Sequence, residues 1–287
     1  MQQKIKLTQR MVSIITAIYN QLEMNKLFWR YLKKYTDGEF ELIIIDNGST
    51  DGSREFFQSL KEDVTVIAND GNYSYPYCQN QGLNVAKYDT LAFFNNDILV
   101  SPHWDSRIKK VLGKNNQDVV SLSSNDRLYN KIVSKKLKRN WKHIKYPIKA
   151  ILGQRLIVLE LMAYLCYGNW EKFTDKIFKQ YGYSLTIGFS GSAIIMNRRA
   201  IEKIGKWDAT QQSADFDLFF RTCLRSETVG DIKPLAIVNG VFNHHFSRMT
   251  FHKKHPEYKD ATRLRYIDEK WKSYNLTKWK KLVNFEN

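Results

Sequence analysis

The 287-residue sequence predicts an α/β fold, a largely parallel sheet flanked by helices, and three observations carry that expectation. Over the first hundred residues, short apolar runs alternate with helical spacings in a βαβαβαβ rhythm. The apolar runs are continuous rather than alternating, as expected of strands buried on both faces beneath crossover helices. The same grammar returns after Leu185, beyond a middle section that breaks it.

Taken in order, Met11–Ile18 reads as the first strand, and Gln21–Lys34 has helical spacing through Leu22, Leu27, Phe28, Tyr31 and Leu32. Phe40–Ile45 is a second buried strand, Ser53–Leu60 a short helix and Val64–Ala68 a third strand. Pro76, suited to a first helical turn, opens a helix to about Ala86, and a strand from Thr90 to Asn95 follows. Right-handed crossovers then bring the strands' carboxyl ends to one rim. From about 125 to 183 the pattern is helical, basic at first, then apolar and aromatic from Ile148 to Tyr167. Lys149, Arg155 and Glu160 interrupt the apolar part, which fits an amphipathic helix lying on a surface or a core helix better than a membrane span. Ser192–Met196 then reads as a strand, Asn197 as a helix start, Asp215–Leu224 as a helix, Leu235–Phe242 as a strand, and Lys254 onward as helical and basic-aromatic.

With 43% hydrophobic residues and 14% aromatics, the chain can build a substantial core and is not a disordered polymer. Cys78, Cys166 and Cys223 are odd in number and lack CxxC spacing, which argues against a disulfide framework or a zinc site and fits a reducing cytosol. The first apolar stretch is too short for a secretory signal, and no run of 18 apolar residues exists, so the expected location is cytoplasmic, peripheral at the inner face of a membrane. A formal charge of +16 calls for an anionic partner: nucleic acid, a membrane surface or nucleotide phosphates. Between Arg127 and Arg155 there are ten Lys or Arg residues and no acid, which solubility alone explains poorly. Nucleic acid is disfavoured, because the cations gather in the middle section rather than along a reading motif.

Four polar clusters fall where strands end or helices begin. They are Thr16-Ala17-Ile18-Tyr19-Asn20, Asp46-Asn47-Gly48-Ser49-Thr50-Asp51-Gly52-Ser53, Asn95-Asn96-Asp97, and Asp215-Phe216-Asp217-Leu218-Phe219-Phe220-Arg221 preceded by Gly188–Ser192. Open α/β sheets place ligand chemistry at this rim. These clusters, together with Cys-Gln-Asn-Gln-Gly at 78–82, are similar in kind and order to the inverting family 2 glycosyltransferases of the GT-A fold. The resemblance covers about residues 11–113 and 185–250. The expected organisation is a catalytic domain over 1–250 containing a helical, basic insert at about 125–183 that lies outside the resemblance, followed by a helical, basic C-terminal tail at 251–287.

The resemblance also implies roles. A nucleotide base needs a carboxylate or amide edge and a flat apolar contact, which Asp46, Ala17 and Tyr19 supply. Ser49 lies in a turn that brings backbone close to a ligand ahead of a helix start, while Asp51 suits a helix cap. Asn80 holds that loop or the nucleotide. Asn95-Asn96-Asp97 occupies the family's Asp-x-Asp position, so Asp97 is the expected ligand of Mg2+ or Mn2+ on the diphosphate, with Asn95 and Asn96 on the donor. One carboxylate holds a hard dication less tightly than two, which makes His244 and His245 candidate ligands. Adjacent residues on a strand face opposite ways, so one of them should reach, His244 being the one favoured. Arg248 is a further phosphate candidate.

Asp215 and Asp217 compete as the base. The i,i+4 spacing from Asp217 to Arg221 suits an ion pair, leaving Asp215 to face the acceptor, as the family pattern also implies. Where the family usually has an acid before its base, this chain has Ala214. Gly191, with Ser190 and Ser192 beside it, passes backbone near the donor sugar, and Trp207 is a core residue or a sugar-stacking one. The expected partners are a UDP- or dTDP-sugar donor, a glycan or lipid-linked acceptor and an anionic membrane surface.

Overall fold

The computed structural model describes residues 11–60, 64–247, 249 and 256–283; Arg248 lies outside them. The chain runs β1 (Val12–Ile18), α1 (Leu22–Tyr35), β2 (Phe40–Asp46), α2 (Ser53–Ser59), β3 (Val64–Ala68), α3 (Tyr75–Val85), β4 (Thr90–Phe94), β5 (Ile98–Val100) and α4 (Trp104–Lys109). It continues through β6 (Val119–Ser124), α5 (Lys131–Leu152), α6 (Leu156–Tyr167), α7 (Trp170–Tyr181), β7 (Leu185–Ile187), β8 (Ala193–Asn197), α8 (Arg198–Ile204), α9 (Ala214–Thr228) and β9 (Ala236–His245). Two short helices, α10 (Ile267–Lys270) and α11 (Thr277–Val283), close the described chain.

One sheet of order β3-β2-β1-β4-β8-β6-β9-β5 crosses the molecule, with β7 pairing to β9 off that path. β1 to β4 are parallel, so Asp46, the last residue of β2, and Tyr19 and Asn95, just past β1 and β4, lie on the same rim. Beyond β4 the sheet is mixed, with β8 running antiparallel between β4 and β6 and β6 parallel to β9.

Successive strand residues feed two cores, which is why the apolar runs are continuous. Ile14, Leu42, Ile44 and Phe94 pack with Leu27, Phe28, Phe57, Trp104, Trp141, Leu159 and Trp170 on one face. Ile15, Ile43, Ile45 and Phe93 pack with Cys78, Leu83, Leu218, Phe219 and Phe220 on the other. On this second face Trp271 and Trp279 join the core, so α11 and the end of α10 are bound into the α9 side of the molecule.

The insert is three helices. Asn130 caps α5 by accepting from the amides of Ile132 and Val133, and Asn169 caps α7 through the amide of Lys172. α6 is half core and half surface: Val158, Leu159, Met162 and Ala163 are buried while Ile157, Leu161, Tyr164 and Leu165 are exposed. Among the described residues, no helix is long and apolar enough to cross a membrane.

β5, β6 and β7 stand outside the strands the sequence pattern marks. β6 reads Val-Val-Ser-Leu-Ser-Ser, and its serines dilute the apolar signal. They are buried because each finds partners: Ser121 accepts from the Ser190 amide, and Ser123 donates to the carbonyls of Asn239 and Val241.

Candidate active site

β4 stops at Phe94, and the three polar residues after it part company. The Asn95 amide bonds the Ser192 carbonyl, and the residue lines a cavity at the rim. Asn96 turns inward and donates to Asn25 Oδ1 of α1 at 2.7 Å, so its side chain steadies the helix start rather than facing the cavity. Asp97 is placed by the strand that follows. β5 pairs antiparallel with β9, matching Ile98 to His245, and the Phe246 amide bonds the Asp97 carbonyl at 2.8 Å. That register brings the Asp97 carboxylate beside the His245 ring, Oδ1 to Nε2, at 3.3 Å.

A third segment completes the cluster. Past β6, the Asn125 side chain extends the ladder to β9, accepting from the His245 amide at 2.7 Å and donating to its carbonyl at 3.1 Å. The next residue, Asp126, holds His245 Nδ1 at 2.6 Å. His245 is thus fixed by one carboxylate and faces another. Burial works against its positive charge, but Asp97 and Asp126 outweigh that and raise its pKa to about 10. Burial pushes the Asp126 carboxyl up, and the bonded His245 brings it below the usual carboxylate range.

His244, the histidine favoured from sequence, is the member of the pair that faces away. It is fully buried, edge-on to Trp141 and Phe246, with Tyr167 Oη at 2.7 Å from Nδ1. Burial, with the charged His245 alongside, drives its pKa down to about 3, so the ring is neutral and lies on the insert side of β9. The alternation of the strand divides the two histidines between cleft and core.

The cavity, of about 410 Å³, is lined by Asn95, Asp126 and His245 together with Tyr75, Arg127, Ser190, Gly191, Gln212 and Asp215. Asp215 enters from the first turn of α9 and lies against Gly191, where a Cβ would collide with its Oδ2. Burial pushes the Asp215 carboxyl above the ordinary range, with the first amides of α9 (its own and that of Phe216) pulling the other way. Asp217, two residues on, is fully buried between Arg221 at 2.8 Å, Lys270 at 2.6 Å and the Trp271 indole N–H at 3.0 Å. Ser190 and Ser192 turn their hydroxyls inward, to Ser124 Oγ and Asn243 Oδ1, and so seat the Gly191 loop. Arg127 is buried on the cavity wall, donating to the carbonyls of Phe189 and Leu282.

The rim over β1 and β2 is laced by its own polar side chains. Ser49 Oγ accepts from the Asn20 amide, Asn20 Oδ1 from the Thr50 amide, and Asp51 from the amides of Leu22 and Ser53. Asp51 therefore joins the starts of α1 and α2, while Gly52 is the residue at the α2 cap. Asn20 and Gln21 take left-handed backbone (φ 56° and 73°) to make the turn. Asp46 is buried, accepting from the Ser49 amide and pairing with Arg54 at 2.6 Å. Ala17 and Tyr19 are half-buried on the same rim. Asn80 donates to the Trp207 carbonyl at 2.7 Å and so holds the loop before α9. Trp207 itself is a core residue, edge-on to Phe93 and Tyr75.

The sequence model of glycosyl transferase family 2 matches residues 13–205, two thirds of the chain. The chain belongs to glycosyl transferase family 2. Similar curated proteins are the uncharacterized glycosyltransferase YfnE of Bacillus subtilis (34% identical over 94 residues, 31% of this chain and 24% of that protein) and glycosyltransferase AglE of Haloferax volcanii (24% identical over 114 residues, 38% of each). The chain thus spans about a quarter to two fifths of the length of these relatives. Among solved structures it is similar to mannosyltransferase PcManGT from Pyrobaculum calidifontis in complex with GDP-Man and Mn2+ (13% identity, 79% of this chain and 56% of that one, TM-score 0.49). It is also similar to S. aureus TarS 1–349 (15% identity, 82% and 60%, TM-score 0.49).

In this member of glycosyl transferase family 2, the matched segment ends before Asp215 and His245, which reach the cavity through α9 and β9. Among the described residues, no group of three or more His, Cys, Asp or Glu side chains is arranged to hold a metal ion. Two side chains do converge, Asp97 Oδ1 and His245 Nε2, with Asp126 oriented behind the ring as carboxylates stand behind metal-bound histidines. Once a metal displaces the Nε2 proton that the raised pKa of His245 keeps in place, that donor set suits a dication whose remaining ligands are diphosphate oxygens and water.

Four cavity residues escaped the reading of the sequence: Asp126, Arg127 as a cavity residue, Gln212 and Tyr75. Asp126 carried a signal, because Ser124-Asn125-Asp126 ends an apolar strand just as Asn95-Asn96-Asp97 does. Tyr75 carried none. Its hydroxyl is enclosed without a hydrogen-bond partner and lines the cavity that holds Asp215.

Proposed function

We propose that this family 2 glycosyltransferase is an inverting enzyme that moves a sugar from a UDP- or dTDP-linked donor to a hydroxyl of a surface-glycan acceptor carried on a lipid. A lipid-linked acceptor would hold the enzyme at the inner face of a membrane as a peripheral protein. The observation that carries the reading is that one cavity contains both an isolated carboxylate, Asp215, and the His245–Asp126 pair that faces Asp97.

Asp215 accepts the proton of the acceptor hydroxyl as that oxygen bonds to the anomeric carbon and the bond to the diphosphate breaks on the opposite face, so the product is inverted. Its burial suits it to the task, since a carboxylate of raised pKa is a stronger base. Asp97 and His245 would hold Mg2+ or Mn2+, which when bound neutralises charge growing on the leaving diphosphate. Asp126 keeps His245 Nε2 turned toward Asp97. Asn95 lines the donor side, with Gly191 giving the sugar close backbone. Ala17, Tyr19, Asp46 and Ser49 form the nucleoside end, where Arg54 shares the Asp46 carboxylate with the base. Asn80 and Asn96 position the surrounding loops.

A thermal-shift screen of nucleotide sugars, with and without Mn2+, tests this reading. Stabilisation by one nucleoside diphosphate family, dependent on Mn2+ and absent from Asp97→Ala, is expected. Absence of a shift with every nucleotide overturns it. NMR of the product's anomeric proton then reads the stereochemistry, and a retained configuration removes Asp215 as the base.

A further inference from the structure

The insert carries a surface that the transfer reaction does not use. On α6, Ile157, Leu161, Tyr164 and Leu165 recur at helical spacing on the outer face, and Ile151 and Leu152 at the end of α5 continue it. Ile151 is 80% and Ile157 72% exposed, degrees at which large aliphatic side chains are costly in water. Six large apolar side chains, each at least 40% exposed, thus gather within residues 151–165, the kind of apolar surface that marks an interaction site. The acid of α6, Glu160, is held aside by Arg30. Along α5, Lys135, Lys136, Lys138, Arg139 and Lys142 are exposed, within the 29-residue stretch that holds ten cations and no acid.

We propose that α5 and α6 form a monotopic docking face for an anionic bilayer. The apolar ridge enters the boundary between headgroups and acyl chains, and the α5 cations meet lipid phosphates. Charge selects this occupant, since a second copy of the chain seated on the same face would set one cationic stretch against another. Length selects the mode: twelve residues of α6 span only about 18 Å, well short of the roughly 30 Å of hydrocarbon a crossing helix must cover.

The layer is rigidly joined to the site. Trp141 of α5 and Tyr167 of α6 clasp His244 beside His245, and Lys145 Nζ donates to the Ser247 carbonyl at 2.9 Å. Docking through α5 and α6 therefore holds β9 and its cleft close to the lipid surface. It is independent of which sugar is moved, and the two are tested separately.

The test is co-sedimentation of the full chain with vesicles of phosphatidylcholine alone or mixed with phosphatidylglycerol. Two variants of exposed residues accompany it: Ile151→Glu/Ile157→Glu/Leu165→Glu, and Lys135→Glu/Lys136→Glu/Lys138→Glu/Arg139→Glu. Circular dichroism and the nucleotide thermal shift establish that both remain folded with an intact site. Wild type should bind only the anionic vesicles and weaken with salt. The charge-reversed variant should lose at least about fivefold in partitioning per residue changed, and the apolar variant should fail to bind even at low salt. Equal binding to neutral vesicles, or variants that bind like wild type, overturns the proposal. So does a concentration-dependent dimer that Ile157→Glu dissolves, because a second copy then covers the face.

Discussion

Replacing Gly191 by alanine probes how tightly the cleft fixes Asp215, the proposed base. A Cβ at this position would stand well inside the 3.0 Å that such atoms keep from their neighbours, against Asp215 Oδ2, and would meet Cγ at 3.4 Å. Gly191 does not need left-handed backbone, so alanine costs no φ strain, and Asp215 is half-buried with room to rotate. The fold should survive and the carboxylate should move by about 1 Å, a displacement that costs on the order of a hundredfold in rate. The expected result is a kcat lower by about a hundredfold, or about 2.7 kcal/mol, while a rise in donor KM reports the sugar's own contact at Gly191. Steady-state release of the nucleoside diphosphate from the donor found by the screen supplies both constants. The same substitution in an Asp215→Ala background should cost no further kcat, because the clashing carboxylate is gone. A Gly191→Ala enzyme with nearly full kcat would refute the placement of the base against this loop.

Three further outcomes follow from the same geometry. Asp126→Asn, which frees His245 Nδ1 from a carboxylate, should weaken Mn2+ binding by about 10–100-fold, read by electron paramagnetic resonance titration with a nucleoside diphosphate present. Asp217→Ala removes the partner of Arg221, Lys270 and Trp271 and should lower stability by about 3–5 kcal/mol in denaturant unfolding, as for other broken buried pairs. Asp215→Asn should abolish transfer, keep donor binding and raise Tm at pH 7. The folded-state pKa of Asp215 lies above its unfolded value, so its stabilising contribution is complete below the unfolded pKa of about 3.9 and is lost as pH rises through the folded one. The gain in Tm should therefore vanish in strong acid, and a variant less stable than wild type at pH 7 would contradict it.

The first four strands and the helices between them are legible in the sequence because burial on both faces leaves apolar runs that polar turns cannot mimic. Val64–Ala68 is recovered to the residue, and β1, β2 and β4 to within one. β6 is hidden because its serines satisfy each other's neighbours inside the sheet, a long-range arrangement that local composition does not encode. With β6 unseen, the polar triplet that ends it was unseen too, and Asp126 with it. The choice between His244 and His245 depends on which face of β9 looks onto the cleft. The pairing with β5 and β6 decides that, and the order of residues along the chain is silent on it.

Three times, two close neighbours divide the work between cleft and scaffold. Asn95 lines the cavity while Asn96 holds α1 through Asn25; His245 meets Asp97 while His244 holds the insert through Tyr167 and Trp141; Asp215 faces the cavity while Asp217 holds Lys270 and Trp271. Each residue of the cleft is therefore positioned by a neighbour anchored to a different part of the molecule. Among the described residues, those of the insert helices and the tail place no carboxylate beside Asp215 or Asp97, yet they fix the backbone that presents both. A change in the insert that loosens Tyr167 or Trp141 shifts β9 and with it His245. Seating α5 and α6 on a surface would thus act on the same strand that carries the histidine facing Asp97.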